Sequence, residues 1–322
     1  MQCGRTGSLL VLLSLLAGVL FVASSASSFA IDNIRDLKGL NATSPDAENW
    51  CIGANGIVLC GSLRVAGAID YLAWNGMQFI NAADHGRELQ YAISNQYGEC
   101  YNPTEAGSMN DGAGPTTSSV LLGANTNGNI YRTVSKPAFW IAPGQRDPNG
   151  GCIGVNPTVV SRFITSKQVN IGAYGQWNAI QYLLSSYVPE PQSFIQYEAP
   201  TGYMPPSFNT FFIINLDSGQ LMRVGPNTAE TTEPVIISTA DGTHAMGAYL
   251  ARAPQSTYAH YARFYFAGYT AKWSVVYRQW GAGVGTLSFQ SIICVGSLAE
   301  VQGCMVNVAR QSGYIHCTHP GC

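Results

Sequence analysis

The sequence predicts an all-β protein: a single-domain β-sandwich or β-supersandwich that is stapled by disulfides and has few helices. Three observations support this prediction. Short runs of β-branched and aromatic residues recur along most of the chain, turn residues separate these runs, and helical periodicity is scarce. The 35 glycines and 16 prolines supply the turns that many short strands require.

The predicted strands extend from residue 57 to residue 295. After the run Ala68–Trp74, the dipeptide Asn75-Gly76 predicts a type I′ hairpin turn into Met77–Ile80. One short helix is predicted near the C-terminus, over Ala299–Asn307. The other predicted strands are Ile57–Cys60, Ser62–Val65, Gln90–Ser94, Val159–Ile164, Gln168–Ile171, Trp177–Leu184, Phe211–Leu216, Val235–Ser238, Tyr261–Phe266, Lys272–Arg278 and Leu287–Val295.

Residues 1–30 are expected to be a secretory signal peptide. Arg5 precedes the apolar run Leu9–Val22, and the small-residue pattern Ser28-Phe29-Ala30 follows it. The apolar run is shorter than the roughly 20 residues that a membrane-spanning helix needs. We therefore expect residues 31–322 to form one domain that is secreted to the extracellular space and has no membrane as partner once the signal is removed.

The cysteines and one asparagine predict modifications typical of secreted proteins. Nine cysteines are present, one of them inside the expected signal peptide. An even remainder in a secreted chain favours four disulfides and no free thiol. Cys51 is close enough in sequence to pair with Cys60, and Cys294 with Cys304. The sequon that begins at Asn41 makes the chain a candidate glycoprotein.

Composition favours a carbohydrate partner and argues against nucleic acid. Charged residues make up 11% of the chain, aromatic residues also make up 11%, and the formal net charge is −2. The sequence contains no basic cluster, whereas phosphate binding requires concentrated lysine and arginine. Aromatic platforms and neutral hydrogen-bonding groups suit sugar rings. We therefore expect a polysaccharide or an oligosaccharide as partner, and no nucleic acid.

The sequence contains no fingerprint of a cofactor. It has no phosphate-binding loop, no dinucleotide-binding glycine pattern and no His-Glu-x-x-His motif. The C-terminal run His316–Cys322 has the residue types of a zinc knuckle, but its spacing is irregular and secretion favours oxidised cysteines. We expect neither a cofactor nor a metal.

The densest polar cluster supplies five candidate catalytic residues. It begins after a strand-like run and combines an imidazole, a guanidinium, carboxylates and a phenol within about twenty residues. Such an inventory suits a sugar-active site, where carboxylates act as acid and base and a cation orients the substrate. The alternative is a salt-bridged loop around a satisfied histidine. The five candidates are His85, Arg87, Glu88, Tyr101 and Glu105.

A second polar cluster adds Asp241 and His244 as catalytic candidates. They follow a predicted strand at a turn, so His244 is expected at a strand end. His85 and His244 form the natural acid–base pair, since most of the other histidines lie in the C-terminal tail. We expect His85, Arg87 and His244 to line one cleft. The alternative for His244 is a role in packing the turn.

Aromatic residues indicate where substrate binds. Gln196–Pro206 is interpreted as a binding loop in which Tyr197, Glu198 and Tyr203 contact a sugar ring. The alternative is a structural, proline-rich crossover. Trp140 is a further candidate platform, with the hydrophobic core as its alternative.

Two stretches carry a resemblance to a known family. Val65–Gly76, followed by Arg87 in a similar relative place, resembles the start of galactose-mutarotase-like proteins, and Tyr277–Val301 looks like their final strands. The resemblance implies a β-supersandwich with a sugar site, a scaffold that polysaccharide lyases and some glycosidases also use. The chain departs from true aldose mutarotases because it lacks their His-x-Tyr-Phe-Asn element.

The sequence therefore predicts a secreted carbohydrate-active enzyme that cleaves glycosidic bonds in a polysaccharide, as a hydrolase or a lyase. Elimination would use His85, His244 or Tyr101 as base, with Arg87 neutralising a uronate. The alternatives are a non-catalytic sugar-binding or cell-surface protein and a sugar epimerase of mutarotase type. Hydrolysis would require two carboxylates across the glycosidic bond, drawn from Glu88, Glu99, Glu105, Glu198 and Asp241.

Overall fold

The computed structural model describes residues 49–148, 151–254 and 259–315. The expected signal peptide, the sequon at Asn41 and the C-terminal run His316–Cys322 lie outside the described residues. The described residues form two antiparallel β-sheets and one α-helix, which confirms the predicted all-β fold.

Eleven of the twenty strands in the described residues overlap the predicted runs, with shifted or longer boundaries, and the other nine lie outside them. In chain order the strands are β1 (Asn49–Ala54), β2 (Ile57–Ser62), β3 (Ile69–Trp74), β4 (Met77–Gln78), β5 (Leu89–Asn95), β6 (Pro103–Thr104), β7 (Val120–Asn127), β8 (Ile130–Lys136), β9 (Ala138–Phe139), β10 (Ile164–Ile171), β11 (Ala179–Val188), β12 (Gln192–Met204), β13 (Phe208–Ile214), β14 (Leu221–Val224), β15 (Ala229–Thr231), β16 (Val235–Thr239), β17 (Ala245–Arg252), β18 (Ala259–Phe266), β19 (Thr270–Ala282) and β20 (Gly285–Gly296).

The two sheets are named here the front sheet and the back sheet. The front sheet has the order β1-β2-β3-β5-β12-β19-β18-β15, and β4, β6 and β9 attach along this path. The back sheet has the order β14-β13-β16-β17-β20-β11-β10-β8-β7. Neighbouring strands often lie far apart in sequence, as when β12 pairs with β5 and β19, so residues from distant segments meet on one face.

The hydrophobic core lies between the sheets. Tyr197 on β12 is fully buried and its hydroxyl donates to Ser186 on β11, 3.1 Å away. The Tyr261 hydroxyl on β18 accepts from the Leu250 amide on β17 at 3.2 Å. Gly202 is required at one close approach, because the indole of Trp273 lies 2.6 Å from where a Cβ of residue 202 would stand. The two hydroxyl contacts join the inner faces of the two sheets, whereas the Gly202–Trp273 approach lies within the front sheet.

The C-terminal helix α1 (Leu298–Ser312) confirms the predicted helix and is longer than predicted. It begins with a capping box, in which Ser297 accepts from the Glu300 amide and Glu300 accepts from the Ser297 amide. Its apolar side covers β17 and β20 of the back sheet, burying Val301 and Met305.

Three disulfides join the described cysteines. They are Cys51–Cys60, Cys100–Cys152 and Cys294–Cys304. The first and third confirm the local pairs that sequence separation allows, and the second joins two loops beside the front sheet.

Thiol titration of denatured, unreduced mature protein tests the predicted redox state. We expect no reactive thiol, because six cysteines form the three disulfides and the sequence predicts four disulfides in all. More than one free thiol per chain would contradict the prediction.

Three predicted segments differ from the structure. Leu63–Val65, predicted within a strand, forms a 3₁₀ turn, because the chain reverses at Ala66 and Gly67, which both have positive φ. Residues 159–163 make only an isolated bridge at Val160, and β10 begins at Ile164. The predicted binding loop over residues 196–206 is largely the central strand β12, which accommodates Pro200 at a bulge where the missing N–H breaks no ladder bond.

Candidate functional site

The outer face of β12, β18 and β19 carries the candidate site. Side chains alternate along a strand, and the paired residues Tyr197 and Tyr277 are buried in the core. Their neighbours Glu198 and Val276 are also paired and therefore point to the opposite side of the sheet. Val276 is paired in turn with His260 on β18. The register thus aligns three distant segments on one face, called here the outer face.

An ion pair between Glu198 and Lys272 lies on this face. The Lys272 Nζ is 3.1 Å from Oε1 and 2.9 Å from Oε2 of Glu198, and the Ser274 hydroxyl donates to Oε2 at 3.2 Å. The two side chains remain 11% and 16% exposed, respectively. A small part of the carboxylate and of the ammonium is therefore open to solvent, and the sheet holds both in fixed positions.

Two aromatic rings flank the ammonium. Nζ of Lys272 lies 5.0 Å from the ring centre of Tyr203 and 4.7 Å from that of Phe264, and both residues are paired with Lys272 across the ladder. Burial opposes the charge, but Glu198 and Tyr203 outweigh it and raise the pKa of Lys272. Burial also raises the pKa of Tyr203. At neutral pH both groups keep their protons and act as hydrogen-bond donors.

Glu99 is an exposed carboxylate that the sequence offers for hydrolysis. It lies on the 3₁₀ turn Gly98–Tyr101, and its Oε2 accepts from the Asn102 amide nitrogen at 2.7 Å. Its charge contributes to the raised pKa of both Lys272 and Tyr203, after the larger effects of burial and of closer charges.

One end of the outer face is bordered by Arg87 and Trp140. The Arg87 guanidinium lies 4.6 Å from the centre of the Tyr269 ring and donates twice to Asp84, at 3.0 and 2.5 Å. The hydrogen bond from Asp84 raises the pKa of Arg87 further above its usual value. Half-buried Trp140 lies directly over Gly86, with ring atoms 2.6 Å from where a Cβ would stand.

A second group of polar side chains surrounds the Glu230 carboxylate, which Arg278 and His260 both contact. Arg278 donates to both carboxylate oxygens of Glu230, at 2.6 and 3.1 Å, and to Gln196 at 2.6 Å. His260 Nε2 lies 3.1 Å from the same Glu230 carboxylate. Burial and the charge of Arg278 lower the pKa of His260 despite Glu230, so the imidazole is neutral at neutral pH.

Each of three cations around this face already has a carboxylate partner. No net positive charge results from these pairs, and each cation is held in place by its partner. The pairs are Arg87–Asp84, Lys272–Glu198 and Arg278–Glu230.

His85, a predicted acid–base residue, is fully buried. Its Nδ1 lies 2.7 Å from the carbonyl oxygen of Gly112 and its Nε2 lies 2.9 Å from that of Arg64. Both ring nitrogens therefore already have partners from the backbone. With no surface exposed, the ring does not line an open cleft.

Asp241 and His244 lie on the turn between β16 and β17, in the back sheet. Asp241 accepts hydrogen bonds from Thr239 and Thr243, and these bonds lower its pKa to about 2. The His244 ring packs against the ring of Trp74, with centroids 5.6 Å apart. These contacts hold the turn, and the structure does not place either side chain among the outer-face residues.

Two predicted carboxylates lie in the protein interior. Glu105 is fully buried and forms an ion pair with Lys167, Oε1 to Nζ 2.6 Å, and Lys167 also donates to the Gly67 carbonyl at 2.7 Å. Glu88 is fully buried, without a hydrogen bond to either carboxylate oxygen in the described part of the chain, and lies 3.8 Å from Arg64. Neither can touch a bound sugar. Tyr197, a predicted contact, is likewise part of the core.

The buried Glu88 gives a pH-dependent prediction. Burial raises its pKa well above 4.5, so the folded protein keeps this proton at pH values where the unfolded chain has released it. The resulting stabilisation is complete below 4.5, the ordinary pKa of the carboxyl, and is lost as pH rises through the raised pKa of the folded state. Glu88→Gln cannot ionise, so its free energy of unfolding should increase relative to wild type as pH rises above 4.5. Urea unfolding at several pH values measures this difference, and a pH-independent difference would contradict it.

Tyr101 lines a separate cavity of about 290 Å³. Its ring packs edge to face on Phe139, with centroids 4.8 Å apart, and the Arg162–Glu190 ion pair closes the opposite wall. Burial raises the pKa of Tyr101 to about 12. This phenol therefore keeps its proton at neutral pH and does not serve there as a base.

Several outer-face residues were absent from the candidates that the sequence supplied. Lys272, Ser274 and Arg278 occupy alternate positions of β19, interrupted by Val276, which marks one face of a strand. That periodicity is the signal that could have identified them, but the partners on β15 and β18 become apparent only with the register. The missed residues are Glu230, His260, Phe264, Lys272, Ser274 and Arg278.

Two absences hold for the part of the chain that the structure describes. No group of three or more histidine, cysteine, aspartate or glutamate side chains there is arranged to hold a metal ion. Within the same residues, no helix is long and apolar enough to cross a membrane.

No protein-family model matches the chain, and no curated protein does. Solved structures similar to it include a galactose mutarotase-like protein from Lactobacillus casei, at 7% identity over 77% of this chain and 99% of that chain, with a TM-score of 0.41. An alpha-galactosidase from Lactobacillus brevis is 9% identical over 78% of this chain and 39% of its own, with a TM-score of 0.40. An alpha-N-acetylgalactosaminidase from Bifidobacterium bifidum is 8% identical over 82% and 39%, with a TM-score of 0.46.

The chain thus spans about two fifths of the length of the last two enzymes. The resemblance expected from the sequence is confirmed at this level: the similar structures include a galactose mutarotase-like protein and other carbohydrate-active enzymes, at low identity.

Proposed function

We propose that this chain is a secreted carbohydrate-active enzyme that binds a neutral glycan on the outer face and hydrolyses its glycosidic bonds. The observation that carries the proposal is the partly exposed Glu198–Lys272 ion pair between the rings of Tyr203 and Phe264. Aromatic rings contact the apolar side of a sugar, and fixed donors and acceptors bind its hydroxyls. The disulfides favour an oxidising, extracellular location.

The paired cations favour a neutral sugar over an acidic one. A uronate or sulfate is bound by cations that are free to neutralise it, whereas Arg87, Lys272 and Arg278 are each already bound to a carboxylate. Displacing those partners would leave carboxylates unpaired in a partly buried site. Arg87 in particular is held by Asp84 and not oriented to neutralise a uronate. Hydrolysis is therefore better supported than elimination.

Glu198 and Glu99 are the carboxylates that we assign to hydrolysis. Glu198 is kept in place by Lys272 and Ser274, and Glu99 is an exposed carboxylate whose charge adds to the raised pKa of the same ammonium. Glycoside hydrolysis needs two carboxylates on either side of the bond, one to protonate the leaving oxygen and one to act as base or nucleophile. Glu88, Glu105 and Asp241 do not enter this assignment, because of their burial or their place in a turn.

A binding function without catalysis is the second candidate. One observation favours it: Glu198 is neutralised by an ammonium whose pKa is raised, which suits an acceptor of sugar hydroxyls as well as it suits a base. The same face would then bind a glycan and leave it intact.

A panel of oligosaccharides tests the proposal. Neutral gluco-, xylo-, manno- and galacto-oligosaccharides of one to six units are compared with hexagalacturonate and a DNA duplex, by affinity and by release of reducing ends. We expect affinity for a neutral series together with its cleavage. Binding without cleavage would establish the second candidate, and failure of every neutral series to bind would overturn both.

A further inference from the structure

The outer face continues past His260 to an aromatic pair near the end of β19. Phe194 and Trp280 are directly paired across β12 and β19. Their ring centroids are 5.0 Å apart at an interplanar angle of 61°. Trp280 nevertheless remains 57% exposed. The edge-to-face contact fixes the orientation of the indole, and the exposed part presents a flat apolar surface to solvent.

The position of Trp280 along the strand sets its distance from the Glu198–Lys272 pair. Lys272 and Trp280 lie on one continuous strand, eight residues apart, so their side chains share a face. At about 3.4 Å per residue, they lie roughly 27 Å apart. That separation exceeds the size of any monosaccharide, so one sugar unit cannot contact both.

Polar groups occupy the interval between them. Arg278, two residues before Trp280, is bound by Gln196 and Glu230, and His260 adjoins the same carboxylate. These groups include both hydrogen-bond donors and acceptors. The cation among them, Arg278, has a carboxylate partner, as Lys272 has in Glu198. The face therefore has aromatic rings at both ends, with paired polar side chains and the buried Val276 between them.

We infer that Trp280 and Phe194 form a distal subsite for the carbohydrate bound at Glu198, and that the ligand is a neutral chain of several sugar units. The inference rests on the proposed function and specifies its substrate class. A chain that lies along β19 would place one unit on the Trp280 indole and another against Tyr203 and Phe264, with its hydroxyls directed to Arg278 and Glu230.

A comparison of chain lengths tests the inference. Affinities of wild type and Trp280→Ala are measured by calorimetry for the di- and hexasaccharide of the neutral series that binds in the panel. Wild type should bind the hexasaccharide at least about fivefold more tightly than the disaccharide, the scale of one aromatic contact. Trp280→Ala should lose that advantage and keep the disaccharide affinity. Trp280→Phe, which retains a ring, should recover part of it.

Tyr71→Ala is the matched control, since Tyr71 is an exposed aromatic residue on β3, 43% accessible and outside the β12–β19–β18 rows. It should leave both affinities unchanged. If Trp280→Ala binds the hexasaccharide as wild type does, the distal subsite is overturned while the proposed function stands. If wild type binds neither sugar, the proposed function itself fails.

Discussion

Glu198→Gln is expected to reduce the rate of glycosidic bond cleavage by at least about a hundredfold. The substitution keeps the size of the side chain and its hydrogen bond from Ser274, but a neutral amide can act neither as base nor as nucleophile. Binding of the neutral oligosaccharide should change much less, because the rings of Tyr203 and Phe264 remain. The measurement is turnover and affinity on the same oligosaccharide, taken from the panel.

Glu233→Gln is the control for this variant. Glu233 is a carboxylate in the connection between β15 and β16, where it accepts from Asn215 at 3.2 Å. Its substitution should leave turnover unchanged, and thermal unfolding confirms that both variants fold. Wild-type turnover in Glu198→Gln would remove Glu198 from the catalytic assignment. Loss of activity in both variants alike would show a general effect of removing negative charge.

Lys167→Met is expected to lower the free energy of unfolding by about 3–5 kcal/mol. Lys167 and Glu105 are both 0% exposed, and the substitution leaves the Glu105 carboxylate in the interior without its cation. A single unpaired charge there costs more than the pair did. Guanidinium unfolding measures the loss, with Lys136→Met as control for a lysine on the neighbouring strand β8 that is only half-buried.

The double variant Glu105→Met/Lys167→Met separates loss of pairing from loss of packing. Two apolar side chains of similar length leave no buried charge, so most of the lost stability should return. Burial already raises the pKa of Glu105, and removing Lys167 raises it further. The deficit of Lys167→Met should therefore shrink as pH falls through that pKa, because a neutral carboxyl is cheaper to bury. A pH-independent deficit, equal in the single and double variants, would contradict an electrostatic origin.

The fold could be predicted because it depends on local patterns. Short alternating runs and the Asn75-Gly76 turn can be recognised without knowing which strands pair. Both turn residues do have positive φ. The failures occur where a tertiary contact overrides the pattern. The presence of Pro200 favoured the prediction of a loop, but a bulge in β12 allows this proline to lie within a central strand.

The candidate site was less predictable, because residue type does not reveal exposure. His85, Glu88 and Glu105 have the chemistry of catalytic groups, but all three side chains are fully buried in the protein. Glu198 and Tyr203 do lie beside Lys272, a residue the sequence presented only as part of a strand. The order of the strands in the sheet decides which residues form the site. That order brings together segments more than seventy residues apart in the chain.

The affinity of wild-type protein for a neutral hexasaccharide and for hexagalacturonate, each at low and high salt, tests the central claim most directly. Because Arg87, Lys272 and Arg278 are each paired with a carboxylate, we predict that the neutral sugar binds more tightly and that its affinity is nearly independent of salt. Tighter binding of hexagalacturonate, with an affinity that falls as salt rises, would show that these cations are available to an acidic ligand and would contradict the account.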